Sequence, residues 1–560
     1  MKIDRRQALG LLGVGVASPA CASPPPPALP ARGTFLHGVA SGDPTATGAV
    51  LWTRLTPESQ EMQGDGAVGL LLSDSPDLGE IRSIHSVSAG SDWTVKVDIQ
   101  DLEPGRDYWF QFWAASNASP IAGSVRSPVG RFRTLPAEDS TDEVVLAVAS
   151  CSLHPGGYFN AYEAIAGLER VDAVVHLGDY IYEYGGAASD YGMRTGLELG
   201  RIPEPAHEIV TLADYRQRHA QYKSDPQLQA AHASAAWIMT FDDHEVTNDP
   251  WEGGAENHDE GEGSWADRKA AALRAYLEWN PIRDPAPGTP LHEAVRRSFR
   301  FGRTAELHMV ETRLSARALQ FEYEDITRPD GTINRARLND SERRLMGQAQ
   351  LDWLGEAMTN DAAWQVLGNQ VLMARLVVPN LVEAVGQPAI DAAMAGLQDY
   401  QQRRLTQMAT LGAVQAPLNL DAWDGYPAER DRLYAKVREA GGRLVVLSGD
   451  SHAAWASNLH DGAGQVGVEF GATAVSSPQP SYSRALPGAP IADMLVDASP
   501  DLEWCEFEPR GFFVLSLTPE RAECRMVGLS TIMDTTFETS ERARLSTTAT
   551  PQGMAPLVRA

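Results

Sequence analysis

The chain has 560 residues, 43% hydrophobic and 22% charged, which is too long for one small domain and ample for a large core. Lys+Arg 47 against Asp+Glu 74 leaves a formal charge of −27, which excludes coating of nucleic acid or anionic membrane by basic surface. The spread of Gly and Pro excludes collagen, coiled coil and wholesale disorder, and four cysteines are too few to build a disulfide-held fold.

The chain opens with a basic segment containing Lys2, Arg5 and Arg6, followed by an apolar stretch over 11–17 that is too short to span a bilayer. That is the pattern of an export signal, and residues 1–30 are assigned to it and to a Pro-rich spacer. The Arg5-Arg6 pair resembles a bacterial twin-arginine signal, so the twin-arginine translocation machinery is the expected partner; an ordinary secretory signal is the other reading. Ala20-Cys21-Ala22 fits a signal-peptidase site, with Cys21 as a lipid attachment point the alternative. No later run reaches about 18 apolar residues, so no transmembrane segment is expected and the mature chain is placed in the periplasm or outside the cell.

From 34 to 135 the sequence reads as a small all-β domain of immunoglobulin or fibronectin type. Short alternating runs such as Ala49-Val50-Leu51-Trp52-Thr53 are separated by Gly, Pro, Asp and Ser turns. After a linker near Leu135-Pro136, buried apolar strands alternate with amphipathic helices, which predicts an α/β domain over 141–530. Strands are expected at 144–149, 173–177, 237–241, 307–310, 364–367 and 444–447, and helices at 161–168, 266–277 and 341–358. A closing hairpin is expected over 512–526. Cys505 and Cys524 are either a strand-end disulfide or two reduced, buried thiols. The segment 531–560 follows, with a lid over the site as one option. A monomer is expected.

Several of these strands run directly into polar, metal-competent clusters, and open α/β sheets place their ligand sites beyond the carboxyl ends of strands. The first ends in Ser150-Cys151-Ser152 and the second in Gly178-Asp179-Tyr180-Ile181-Tyr182-Glu183. The third ends in Asp242-Asp243-His244-Glu245, where adjacent carboxylates call for a compensating cation. Gly368-Asn369-Gln370 and Gly449-Asp450-Ser451-His452 end two more. A thiolate and a phenolate suit a ferric ion, while Asp and amide oxygens suit a hard, oxygen-loving cation.

Gly178-Asp179-x-x-Tyr182, Asp242-Asp243-His244-Glu245 and Gly449-Asp450-x-His452 resemble the metal-site motifs of the PhoD-like alkaline phosphatases, a branch of the calcineurin-like metallophosphatases. The resemblance extends to 35–44, 158–162 and 271–279. It implies a two-sheet α/β sandwich flanked by helices, and hydrolysis of phosphate esters by hydroxide held at an Fe³⁺/Ca²⁺ site. Carried over by position, Cys151, Asp179, Tyr182 and His452 would hold Fe³⁺. Asp179 would bridge to one or two Ca²⁺ held by Asp243 and Asp450, with Asn369 a further candidate; Asp242 stays open. His244 would orient the phosphate or protonate the leaving oxygen, its alternative being to hold a ligand carboxylate. Arg313, in Glu311-Thr312-Arg313, would anchor the phosphate or the structure. A phosphodiesterase of phospholipase D type on the same residues, and a secreted binding protein with a structural metal, are the rival readings. No Gly-x-Ser-x-Gly, P-loop lysine or His-Glu-x-x-His is present to support other hydrolases.

Overall fold

The computed structural model describes residues 33–560 except 59–65, 79–80, 115–124, 359–360, 396, 398, 481–482 and 484–488. The export signal, the Pro-rich spacer and Cys21 lie outside the described residues. Mixed sheets with helices against them make up the fold, and two sheets carry the architecture. In the eleven-stranded sheet, Val144–Ala149, Ala173–His176 and Ala236–Met239 run parallel side by side. Gly511–Thr518, Arg521–Leu529 and Thr539–Thr550 follow antiparallel on the Val144–Ala149 side. In the seven-stranded sheet, Ala305–Met309, Trp364–Gly368, Leu444–Ser448 and Gly464–Gly471 are parallel.

The strands are continuous apolar runs because both faces of each sheet are covered. Val144, Leu146 and Val148 enter a core shared with Leu307, Val366, Val445 and Leu447 of the second sheet. Their alternate neighbours Val145, Ala147 and Ala149 pack with Tyr162, Leu228 and Tyr276 from three helices. Leu444 and Val446 face a third core containing Leu351, Leu433 and Tyr434. Each parallel strand is thus clamped in depth, and only its carboxyl end is free to present polar groups.

The N-terminal β region is joined to the large sheet. Val39–Thr45 pairs in parallel with Ala236–Met239, so that strand and its partners Gly48–Arg54 and Thr94–Ile99 extend the eleven-stranded sheet. A four-stranded sheet containing Gly66–Ser73 and Asp107–Ala114 packs on this extension through Leu51, Val97, Leu70 and Phe110. The Trp52 indole donates to the Glu278 carbonyl (2.8 Å), and its ring lies 5.9 Å from that of Trp279.

The C-terminal segment and the cysteine pair, both left open by the sequence, are located, and one helix boundary is corrected. In the segment beyond 531, Thr539–Thr550 pairs along Arg521–Leu529, and the preceding stretch is tied down where Asn160 Nδ2 donates to the Thr531 and Asp534 carbonyls (2.8 Å each). Cys505 and Cys524 are both free thiols. One lies on Leu502–Glu506 of the seven-stranded sheet and the other on Arg521–Leu529 of the eleven-stranded sheet, facing different cores. The helix expected from 341 covers only Gln348–Ala357. The Glu429 carboxylate takes the Leu345, Met346 and Gly347 N–H groups, and Gly347 at φ 80° breaks the helical path.

His37, His176 and His219 are buried, and burial pushes each down to about 3, helped by nearby Lys223. The unfolded chain therefore binds more protons between about pH 6.5 and 3. The stability that neutral imidazoles contribute is complete above pH 6.5 and is lost as pH falls toward 3. His219 has no hydrogen-bond partner on either ring nitrogen, so His219→Phe removes its titration without breaking a bond. Urea unfolding from pH 6.5 to 4 should be less acid-sensitive in that variant by about 1.4 kcal/mol per pH unit; identical slopes in the two proteins would refute the assignment.

Candidate active site

The carboxyl ends of the central strands converge. Cys151 N–H donates to the Gly178 carbonyl (3.2 Å), and Ser152 N–H donates to the Asp179 carbonyl (2.9 Å), which knits the first two strand-end loops together. Gly178 is required there: at φ +105° its backbone passes so close to the third loop that a Cβ would lie 2.4 Å from Asp242 Cβ. Glu245 fixes the same junction from below, its carboxylate accepting from Asp179 N (3.1 Å), Tyr180 N (2.6 Å) and Asp242 N (2.8 Å). Cys151, Asp179, Asp450 and His452 all have left-handed backbones, at φ 63°, 57°, 61° and 57°. Non-glycine residues pay roughly 1–2 kcal/mol for this, and such positions cluster at functional sites.

Three overlapping groups result. Ligand atoms of Cys151, Asp179 and His452 lie within 4.8 Å of one another, as do those of Asp179, Asp243 and His244, and those of Asp242, Asp243 and Asp450. Asp179 joins the first group to the second, and Asp243 joins the second to the third. The Tyr182 hydroxyl donates to Asp179 Oδ2 (2.9 Å), stands 3.3 Å from His452 Nε2 and meets Ser477 Oγ at 2.7 Å. His452 Nδ1 lies 2.9 Å from the Pro478 carbonyl, which can only accept. Nδ1 therefore carries the proton, and the Nε2 lone pair faces Asp179 and Tyr182.

His244 is held by Glu183, whose Oε2 lies 2.7 Å from Nδ1, while Nε2 is 3.9 Å from Asp243 Oδ2. Burial alone would lower its pKa, but the Asp243, Glu183 and Asp179 carboxylates outweigh burial and hold the imidazole well above its usual range. Burial pushes the Cys151 thiol and the Tyr182 phenol up, with Asp179 adding to both. Burial likewise raises Asp179 and Asp450, and takes Asp242 to about 6. Asp243 goes the other way: His244 and Arg313 overcome its burial and keep it ionised.

Arg313 is fully buried with its guanidinium among carboxylates. Nε donates to Asp242, Nη1 to Asp421 (2.8 Å) and Nη2 to Asp450 (3.2 Å), with Asp243 at 3.7 Å. Asp421, from the loop before helix Pro427–Glu439, also pairs with Arg317 and carries no strand-end signal that a sequence reading would catch. Asn369 follows strand Trp364–Gly368; its Oδ1 accepts the Trp423 indole N–H (3.1 Å) and its Nδ2 donates to the Val371 carbonyl.

Asp179 Oδ1, Asp242 Oδ2 and Asp243 Oδ1 are buried with no hydrogen-bond partner. Carboxylate oxygens taken out of water without donors are costly, and a cation at the junction of the three groups satisfies all three. The donor set fits a metal centre in number, burial and chemistry.

The comparisons with known proteins agree with this geometry. Residues 146–526 match the PhoD-like phosphatase family, and residues 20–136 match the N-terminal domain of PhoD-like phosphatases. Alkaline phosphatase D of Bacillus subtilis (strain 168) is 31% identical over 509 residues, covering 87% of this chain and 76% of that protein. A solved structure of PhoD superposes with a TM-score of 0.76 at 29% identity, covering 94% of this chain and 92% of that one. A purple acid phosphatase from yellow lupin seeds shares the fold at 9% identity and a TM-score of 0.50, over 88% of this chain and 72% of that one. The class these matches define is that of the phosphoric ester hydrolases. Within it, the chain belongs to the PhoD-like phosphatase family.

Proposed function

We propose that the protein is an exported alkaline phosphatase that hydrolyses phosphate esters at a mixed iron and calcium centre. The observation that carries the reading is the set of three donor-less carboxylate oxygens at the junction of the three groups. Cys151, Asp179, Tyr182 and His452 would hold Fe³⁺, the thiol and phenol being suited to that ion, and Asp179, Asp243, Asp450 and Asp242 would face Ca²⁺. When bound, the ions supply charge neutralisation and Lewis acidity toward a phosphate ester. Cys151 and Tyr182 must give up their protons on loading, which Asp179 and burial otherwise keep in place. His452 presents Nε2 because Pro478 holds its other nitrogen.

His244 is placed as the proton donor to the leaving oxygen. Glu183 fixes Nδ1, and Nε2 is left directed toward the Asp243 side of the site with a proton to give. Arg313 is assigned to the carboxylates, whose charge it offsets, instead of to the phosphate; all three of its nitrogens are already engaged. Asn369 stays a further candidate, since its Oδ1 keeps a second lone pair beside the one that takes the Trp423 N–H. The Arg5-Arg6 signal supports passage through the twin-arginine machinery to the periplasm or beyond. Among the described residues, no helix is long and apolar enough to cross a membrane.

Elemental analysis of purified protein, paired with phosphate release from a monoester and a diester, tests the reading. Iron and calcium with monoester turnover are expected; zinc alone would overturn the ligand assignment. His244→Ala is expected to lower kcat about 100-fold with metal content intact, and unchanged turnover at full metal load would remove the proton-donor role.

A further inference from the structure

Two tyrosines that no part of the proposed chemistry uses stand at the edge of the site. Tyr184 is half-buried, its ring centroid 5.3 Å from that of His244 and 5.6 Å from that of Tyr191. Its hydroxyl donates to Asn248 Oδ1 (3.3 Å), which fixes the ring plane. Tyr191, also half-buried, lies nearly parallel to His452 (25°, 6.4 Å) and at 32° to Tyr182 (6.4 Å). The two rings thus flank the proposed proton donor and a proposed metal ligand.

The loop that joins them is Gly185-Gly186-Ala187-Ala188-Ser189-Asp190, with Ala187, Ala188 and Ser189 exposed. Asp190 Oδ2 accepts from Ala187 N (2.9 Å) and Asp190 N donates to the Ala187 carbonyl (2.8 Å), so the loop is closed on itself. It carries no bulky side chain to cover the rings. The metal-competent groups are also partly open, the side chains of His244, His452 and Asp450 being 9%, 14% and 20% exposed. A phosphate seated on the cluster with its ester oxygen toward His244 would bring its organic moiety beside Tyr184, whose ring lies against that of His244.

We propose that Tyr184 is a stacking platform for a flat aromatic ring in the leaving group, with Tyr191, tilted 57° to it, as a side wall. On this assignment the site favours phosphate esters of nucleosides over those of plain sugars or aliphatic alcohols. The inference rests on the phosphatase reading of the same site. A planar base stacks on an aromatic side chain regardless of its hydrogen-bonding edge, so the preference is for an aromatic ring and not for one base. Tyr184, which touches the proton donor, is the principal contact; Tyr191 completes the wall.

Adenosine 5′-monophosphate and ribose 5-phosphate separate the platform from the chemistry, because the same primary alcohol leaves from both and only the base differs. With the metal-loaded full chain, kcat/KM for the nucleotide is expected to exceed that for the sugar phosphate about tenfold. Tyr184→Leu should bring the ratio close to one, mainly through KM, and Tyr184→Phe should keep it. Adenosine should inhibit sugar-phosphate hydrolysis competitively, about tenfold less well in Tyr184→Leu. Equal kcat/KM for the two esters in the unaltered protein, or a fall in Tyr184→Leu that is the same for both, would overturn the platform while leaving the phosphatase intact. Failure to release phosphate from either ester would remove the phosphatase reading and the platform with it.

Discussion

Asp179→Asn is expected to abolish activity and, in the metal-free protein, to raise stability. Asp179 belongs to two of the three ligand groups, takes the Tyr182 proton donor on one oxygen and leaves the other buried without a partner. An amide there offers one weak neutral oxygen in place of a charged bridge. The expected loss is several kcal/mol of transition-state stabilisation, or at least about a thousandfold in kcat/KM. Bound iron and the second cation should be lost together, because one side chain serves both. Without metal the same carboxyl is a burden: burial pushes its pKa well up, and Asp243 and Asp242 add repulsion against the opposing pull of His244. Removing that charge should lift the Tm of the chelated protein. Elemental analysis, turnover and thermal melts with and without chelator read all three effects. A variant that keeps both metals and near-normal turnover would dismantle the bridging assignment.

Arg313→Leu is expected to be the most destabilising single change near the site. The residue is fully buried and its guanidinium contacts Asp242, Asp421 and Asp450, with Asp243 close by. Removing one partner of a buried ionic network leaves uncompensated charge, a loss of about 3–5 kcal/mol. Arg313→Lys should recover little of it, since a single ammonium cannot span carboxylates arranged around a planar fork. Part of the loss should be restored by added calcium, which supplies positive charge at the same carboxylates. Urea unfolding with and without calcium checks this. If Arg313→Leu melts like the unaltered protein and only KM rises, the arginine is a substrate anchor after all.

The parallel strands were legible because burial on both faces leaves an unbroken apolar signal. The loops that follow them were legible because Asp, Cys, Tyr and His in such places have few structural uses. Asp421 escaped because it arrives from a loop with no apolar strand before it. Glu183 and Glu245 stood in plain view inside the quoted motifs, but their roles depend on which backbone N–H or imidazole they meet, and a one-dimensional spacing does not contain that. Asn369 sits at a strand end like the others, and its hydrogen bond from Trp423 is a contact that spacing alone does not contain. The Cys505 and Cys524 pairing looked feasible at a separation of 19 in sequence, but the strands that carry them join different sheets. Residues after 531 read as an appendage because a polar, charged sequence gives no hint that it completes a sheet on its outer side.

The pairing of Val39–Thr45 with Ala236–Met239 has a bearing on how this enzyme can be handled. Two recognisable family segments meet near residue 140, which invites cutting there. A fragment made that way would bare the backbone edge of a four-residue strand whose side chains are all buried, next to the site's own third loop. Bare apolar edges recruit other chains, and self-association is the ordinary outcome. The N-terminal region is therefore a covering for the catalytic region's sticky flank, and any working form of the enzyme, engineered or fused, has to carry both.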